Sequence, residues 1–202
     1  MTPSSVAKRV AVLISGRGSN LGALIAAQDA SYKIILVISN VEGAGGLEKA
    51  QRSGIATSVI LHAGKTREAF DAELDAALRA AGADLVVLAG FMRILSDGFV
   101  RGWEGKLINI HPSLLPAYRG TKVHERVIAA KEALSGASVH FVVPELDAGP
   151  VIAQASVPVH PSDTPEILAE RVLAVEHGLY PEALKLLASG KVRLENGLAV
   201  FG

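Results

Sequence analysis

Asn109, His111 and Asp147 are the residues of this sequence whose types suit a reaction that moves a proton while charge grows on an oxygen. Asn109 and His111 stand two apart in Asn109-Ile110-His111-Pro112-Ser113-Leu114-Leu115-Pro116, so on an extended strand both side chains leave the same face. An amide donor beside an imidazole can stabilise an oxyanion and transfer a proton. Pro112 sets the exit of the chain directly after His111. A histidine standing alone in such a place more often bonds a carbonyl, so the pair needs company. The turn Glu145-Leu146-Asp147-Ala148-Gly149-Pro150 offers it. Acids in turns are usually solvated or bond their own backbone. By itself that turn says little; an aspartate placed against His111 would orient the ring and push its pKa upward, as a proton-handling site needs.

Two further segments could hold ligands. Gly16-Arg17-Gly18-Ser19-Asn20 lies between an apolar run and a helical pattern. There glycines permit a tight turn, and the helix that follows presents free N–H groups to an anion such as phosphate. The spacing fits neither the dinucleotide fingerprint nor the P-loop. A plain strand-to-helix turn capped by Ser19 or Asn20 uses the same residues, and composition does not choose between the two. In Leu88-Ala89-Gly90-Phe91-Met92-Arg93-Ile94-Leu95, Gly90 lets backbone approach a flat ligand while Phe91 and Met92 line an apolar cleft. Core packing under a sheet edge is the competing reading.

The elements that must position these groups follow from the pattern of apolar residues. Residues 10–14, 34–38, 58–61, 84–89 and 106–110 read as buried strands. They alternate with helical spacing over 21–27, 46–52 and 67–81, which means parallel strands with right-handed crossovers. Strand 84–89 is expected to lie centrally. Residues 111–120 hold two prolines and can only form a loop. A helix over 123–134, strands over 137–143 and 151–158, and a helix from the Ser162–Glu166 capping segment to about Ala188 follow. Asn196-Gly197 marks a tight hairpin within 191–201. The expected fold is α/β: an open, doubly wound, mostly parallel sheet with helices on both faces and a small C-terminal hairpin, as a single domain over 1–202. Such sheets bind ligands beyond the carboxyl ends of their strands.

Composition narrows the chemistry further. Twenty Lys and Arg balance twenty Asp and Glu, so no excess charge draws the chain to nucleic acid. Apolar runs are far below the roughly 20 residues that span a bilayer. Residues 1–5 lack the apolar core of a signal peptide, which leads to the expectation of a cytoplasmic protein. Cysteine is absent, so a thiol nucleophile, disulfides and thiolate metal sites are excluded, and no metal is expected.

Taken together, these segments resemble the glycinamide ribonucleotide formyltransferases, which belong to the formyl-folate transferases. The likeness runs over nearly the whole chain, through residues 14–21, 88–95, 109–116 and Ser138-Val139-His140-Phe141 to Asp147. It implies transfer of a formyl group from 10-formyltetrahydrofolate, as co-substrate, to the amine of glycinamide ribonucleotide. Carried over by position, Asn109, His111 and Asp147 are catalytic: oxyanion donor, general acid and the acid that favours the protonated ring. Gly18, Ser19 and Asn20 would hold the substrate phosphate, and Glu176 the glycinamide part. Arg67, Met92, Arg93, Ile94, Leu95, Asn109, Glu145, Leu146 and Asp147 would meet the folate, with His140 behind them. Residues 1–100 form the nucleotide-binding half and 101–202 the folate and catalytic half. Both partners are small molecules, with neither nucleic acid nor membrane, and the protein is expected to be a monomer or homodimer.

The resemblance leaves alternatives. A formyltetrahydrofolate deformylase uses the same residues but normally carries an added N-terminal domain, for which the first eight residues leave no room. Methionyl-tRNA formyltransferases share Ser113-Leu114-Leu115-Pro116 and Arg119-Gly120 yet need a further basic domain. A non-catalytic folate- or nucleotide-binding module is a third reading. Pro144, Ala148 and Lys122 depart from the family pattern, where an acid, a glycine and a histidine are common. The first two would stiffen the folate loop, and Lys122 would add positive charge near the phosphate.

Overall fold

The computed structural model describes residues 6–202, so the reading of residues 1–5 as free of a leader lies outside the described residues. Strand and helix alternate from β1 (Lys8–Ile14) through α1 (Ser19–Ala26), β2 (Tyr32–Ser39), α2 (Gly45–Arg52), β3 (Ala56–Val59) and α3 (Arg67–Ala80). The pattern continues with β4 (Leu85–Leu88), α4 (Asp97–Gly102), β5 (Leu107–His111) and α5 (Val123–Ala129). Two consecutive strands, β6 (Leu134–Phe141) and β7 (Val151–Pro158), precede the long helix α6 (Pro165–Ala188) and the hairpin of β8 (Val192–Glu195) and β9 (Leu198–Phe201).

Seven strands form one sheet in the order β3-β2-β1-β4-β5-β6-β7, with β4 in the middle as its fully apolar sequence demands. The first five run parallel, and β6 runs antiparallel to both its neighbours, β5 and β7. Alternation along β1 shows how both faces are covered. Val10, Val12 and Ile14 pack with α1, α2, α5 and α6, while Ala11 and Leu13 pack with α3 and α4. The expected α/β architecture with helices on both faces is therefore present. So is the terminal hairpin, where Asn196 and Gly197 both take positive φ, as a two-residue turn of that kind requires.

Helix starts follow their capping residues. Thr66 accepts from the Ala69 N–H at α3, Ser96 from the Phe99 N–H at α4, and Thr164 from the Ile167 N–H just before Pro165 at α6. The helix expected over 123–134 stops at Ala129. Lys131 turns left-handed (φ 55°), and the N–H groups of Lys131 and Glu132 close onto the Ile128 and Val127 carbonyls. This is a Schellman-type ending with lysine where glycine usually stands. β6 accordingly begins at Leu134 and ends at Phe141, ahead of the span 137–143. β3 lies two residues earlier than 58–61. His111 closes β5 and does not open the loop. Helix α4 had no counterpart in the apolar pattern, being a single capped turn and a half. No helix among the described residues is long and apolar enough to cross a membrane.

The chain leaves β1 for α1 on one face and β4 for α4 on the other, so the carboxyl ends of these neighbouring strands open a crevice. The Ser15 N–H donates to the Gly90 carbonyl across its floor (3.0 Å).

Candidate active site

Antiparallel pairing of β5 and β6 sets Asn109 opposite His140 and His111 opposite Ser138. Four polar side chains thus share one face of the two strands. His140 is buried, and its Nδ1 lies 2.8 Å from the Phe141 carbonyl, which only an N–H can approach. Its Nε2 is then an acceptor and takes a hydrogen from the Asn109 amide (Nδ2, 3.3 Å). Burial pushes the His140 pKa down, opposed only in part by the Phe141 bond and Asp147. A neutral ring with its proton on Nδ1 satisfies all of these contacts.

His111 has the opposite tautomer. Its Nε2 donates to the Tyr118 carbonyl (2.9 Å), leaving Nδ1 facing Asp147 Oδ2 at 3.3 Å. Both side chains are over nine-tenths buried, at 7% and 8% exposure. Asp147 Oδ2 also accepts from the Gly120 N–H (3.0 Å), and Oδ1 lies 3.7 Å from His140 Nε2. One carboxylate therefore stands against both histidines.

Asp147 reaches this place because the chain doubles back tightly after β6. A Cβ on Gly149 would sit 1.7 Å from the Phe141 carbonyl oxygen, so no side chain fits there. Asp147 itself takes φ 48°. The loop after His111 is held by Ser138, whose hydroxyl donates to the Ser113 carbonyl and accepts from the Leu115 N–H and the Gln154 amide (2.6, 3.0 and 2.8 Å).

At the other end of the crevice, Gly18 occupies the N-cap of α1 with φ 67°, and a Cβ on it would lie 2.7 Å from Gly46 Cα. No side chain caps this helix, so neither Ser19 nor Asn20 plays the capping part and its first turn is open to an anion. The Lys49 ammonium donates to the Gly18 carbonyl (2.9 Å) and ties the loop to α2. Asn20 turns inward and donates from Nδ2 to Glu176 Oε2 (2.7 Å). Burial raises the Glu176 pKa, with the Asn20 bond opposing it. Helix α6 is anchored there by Tyr180, whose hydroxyl lies 2.8 and 3.2 Å from the carbonyls of Leu88 and Ile108.

Between these ends, Ser15 donates to Asn40 Oδ1 (2.6 Å) and accepts from the Met92 N–H (2.7 Å). Met92 and Ile94 are exposed, Leu95 packs into the core, and the Arg93 guanidinium lies over the Phe70 ring (4.7 Å). Arg67 is exposed in the first turn of α3. Glu145 pairs with Arg119 (2.7 Å), and Leu146 is exposed beside it. Lys122 occupies the N-cap position of α5 without a capping side-chain bond, its ammonium 3.6 Å from Glu125. Among the described residues no group of three or more His, Asp or Glu side chains is arranged to hold a metal ion.

The sequence pattern described as Formyl transferase matches residues 8–184. The chain belongs to the formyl transferase family. Among its relatives in that family is the phosphoribosylglycinamide formyltransferase of Escherichia coli (strain K12), 45% identical over 194 residues that make up 94% of this chain and 92% of that protein. The trifunctional purine biosynthetic protein adenosine-3 of Bos taurus is 53% identical over 94% of this chain, which spans only 19% of that longer protein. Among solved structures, the phosphoribosylglycinamide formyltransferase from Anaplasma phagocytophilum superposes with a TM-score of 0.90 at 47% identity, covering 96% of this chain and 94% of that one.

Within this formyl transferase fold the structure gathers Asn109, His111, Asp147 and His140 into one cluster, and Asn20 with Glu176 into another. Sequence reasoning did not single out Ser15, Lys49, Tyr118 or Ser138 as site residues. For Ser138 a signal existed: Ser138-Val139-His140 repeats the polar–apolar–polar alternation of Asn109-Ile110-His111. Tyr118 had none, since it acts here through a backbone carbonyl.

Proposed function

We propose that this chain transfers the formyl group of 10-formyltetrahydrofolate to the amine of glycinamide ribonucleotide. The observation that carries the reading is the pairing of His111 Nδ1 with Asp147 Oδ2 while Nε2 is committed to the Tyr118 carbonyl. Protonation and release are thereby confined to one nitrogen, the one a carboxylate attends.

The amine attacks the formyl carbon, and the carbonyl oxygen takes up negative charge. The Asn109 amide, with one hydrogen on His140 and the other free, donates to that oxygen, and the positive charge of a protonated His111 nearby favours it. The bond from the formyl carbon to the folate nitrogen then breaks. His111 Nδ1 gives its proton to the folate nitrogen and regains the one that the amine releases. Asp147 orients the ring through its contact with Nδ1.

Gly18, Ser19 and Asn20 receive the phosphate at the uncapped start of α1, and Glu176 receives the glycinamide end. The folate lies along Met92, Arg93, Ile94 and Leu95, reached by Arg67 and enclosed by Glu145 and Leu146. The ribonucleotide thus rests mainly on residues 1–100 and the reacting carbon on residues 101–202. The enzyme works in the cytoplasm on small molecules alone, as a monomer or homodimer, with neither nucleic acid nor membrane as a partner. Mixing the protein with 10-formyltetrahydrofolate and the ribonucleotide and following folate absorbance tests this. An acceptor-dependent change is expected. Its absence overturns the reading, and hydrolysis without acceptor assigns a deformylase instead.

A further inference from the structure

The Tyr118 carbonyl that holds His111 belongs to a residue in an unfavourable conformation. Tyr118 takes φ 57°, a region that a bulky L-residue occupies only where its surroundings impose it. Those surroundings are specific. Its hydroxyl donates to Glu132 Oε1 (2.6 Å), fourteen residues on and beyond the end of α5. The Arg126 guanidinium lies 5.3 Å from the ring centroid and donates to the neighbouring Arg119 carbonyl (2.7 Å). The phenol is thus gripped at its tip and on its face.

We infer that Tyr118 is a positioning residue for His111. The Tyr118–Glu132 bond, with Arg126 across the ring, holds the backbone at 118 in the one geometry that presents its carbonyl to His111 Nε2. The proton on Nε2 is thereby pinned, and Nδ1 is kept as the nitrogen that works against Asp147. Without the strap, the peptide can relax out of the left-handed region, Nε2 loses its acceptor, and the ring samples both tautomers and other rotations. The left-handed Lys131 that ends α5 contributes by turning the chain so that Glu132 lies within reach of the phenol.

This inference rests on the reading of His111 as the proton-transfer residue, and the experiment separates the two. Tyr118→Phe keeps the ring under Arg126 and removes only the hydroxyl–Glu132 bond. Its kcat is expected to fall about 10- to 100-fold, with the KM of both substrates unchanged. The 15N signals of His111, assigned by their loss in His111→Ala, should shift from the single Nε2–H tautomer toward a mixture. Glu132→Gln, with Tyr118 intact, keeps an acceptor oxygen and should keep kcat near the parent value. Glu132→Ala should reproduce the loss, and adding it to Tyr118→Phe should cost no more.

Glu132→Ala alters an exposed side chain, so the comparison stands even where Tyr118→Phe folds poorly. A Tyr118→Phe protein with parent kcat and an undisturbed tautomer overturns the inference. So does a kcat loss that only tracks a smaller folded fraction while the tautomer is unchanged. Turnover retained by His111→Ala would instead overturn the catalytic reading, leaving the tautomer measurement to judge the grip of Tyr118 on His111.

Discussion

Asn20 and Glu176 lie 156 positions apart in the chain and meet in a buried 2.7 Å hydrogen bond. The contact joins the start of α1 to the middle of α6 and sets a carboxyl group where water scarcely reaches it. Asn20 Oδ1 has no protein partner there.

That burial has a consequence for stability. The folded-state pKa of Glu176 is raised above its unfolded value of about 4.3. Its contribution is therefore fully present below the unfolded pKa and is lost as pH rises through the folded pKa. Glu176→Gln, which keeps an acceptor for Asn20 and cannot ionise, should melt at a higher temperature than the parent at pH 8, with the gap closing toward pH 4. Thermal denaturation across that range checks this, and a gap independent of pH would exclude the assigned cause.

His111→Ala should lose about 10²- to 10⁴-fold in kcat, the usual scale for removing a general acid, while folate affinity stays close to that of the parent. Steady-state kinetics beside equilibrium titration of folate measures the two separately. A variant retaining near-normal rate removes His111 from the mechanism.

Asn109→Ala removes the amide expected to meet the developing charge and also strips His140 Nε2 of its donor. A fall in kcat of about 10²- to 10³-fold is expected, the scale for losing one oxyanion donor. If KM rises and kcat holds, Asn109 serves ground-state binding only.

Gly149→Ala places a methyl group against the Phe141 carbonyl, where there is no room. The turn must shift, at a cost of about 1–3 kcal/mol as for other overpacked sites. Chemical denaturation should show that loss, and Asp147, two residues away, should be displaced, so activity falls further than stability alone explains. Unchanged stability would mean that the turn accommodates a side chain.

Most of the sheet was legible because strands buried on both faces read as continuous apolar runs, as over 10–14 and 85–89. The end of α5 was hidden, since Lys131 adopts the conformation that sequence patterns assign to glycine. The candidate site divides in the same way. Asn109 and His111 could be paired from strand periodicity, but placing Asp147 beside them depended on family likeness, because nothing local brings a turn acid to a histidine 36 positions earlier. The Asn109–His140 contact depends on the register of β5 against β6, which neither strand encodes alone. Whether the glycine loop was capped became clear only from the open first turn of α1, since Ser19 and Asn20 would have looked the same in either case.

The opposite tautomers of His140 and His111 carry a stereochemical consequence. With Nδ1–H on the first and Nε2–H on the second, each held by a backbone carbonyl, neither ring can turn over without losing its partner, and the Asn109 amide cannot flip without losing His140. A formyl carbon is planar and its two faces are mirror images. Under the proposed formyl transfer, donors that cannot exchange sides would admit its oxygen in one orientation, so each turnover would expose the same face to the incoming amine and form a short-lived stereocentre of a single hand.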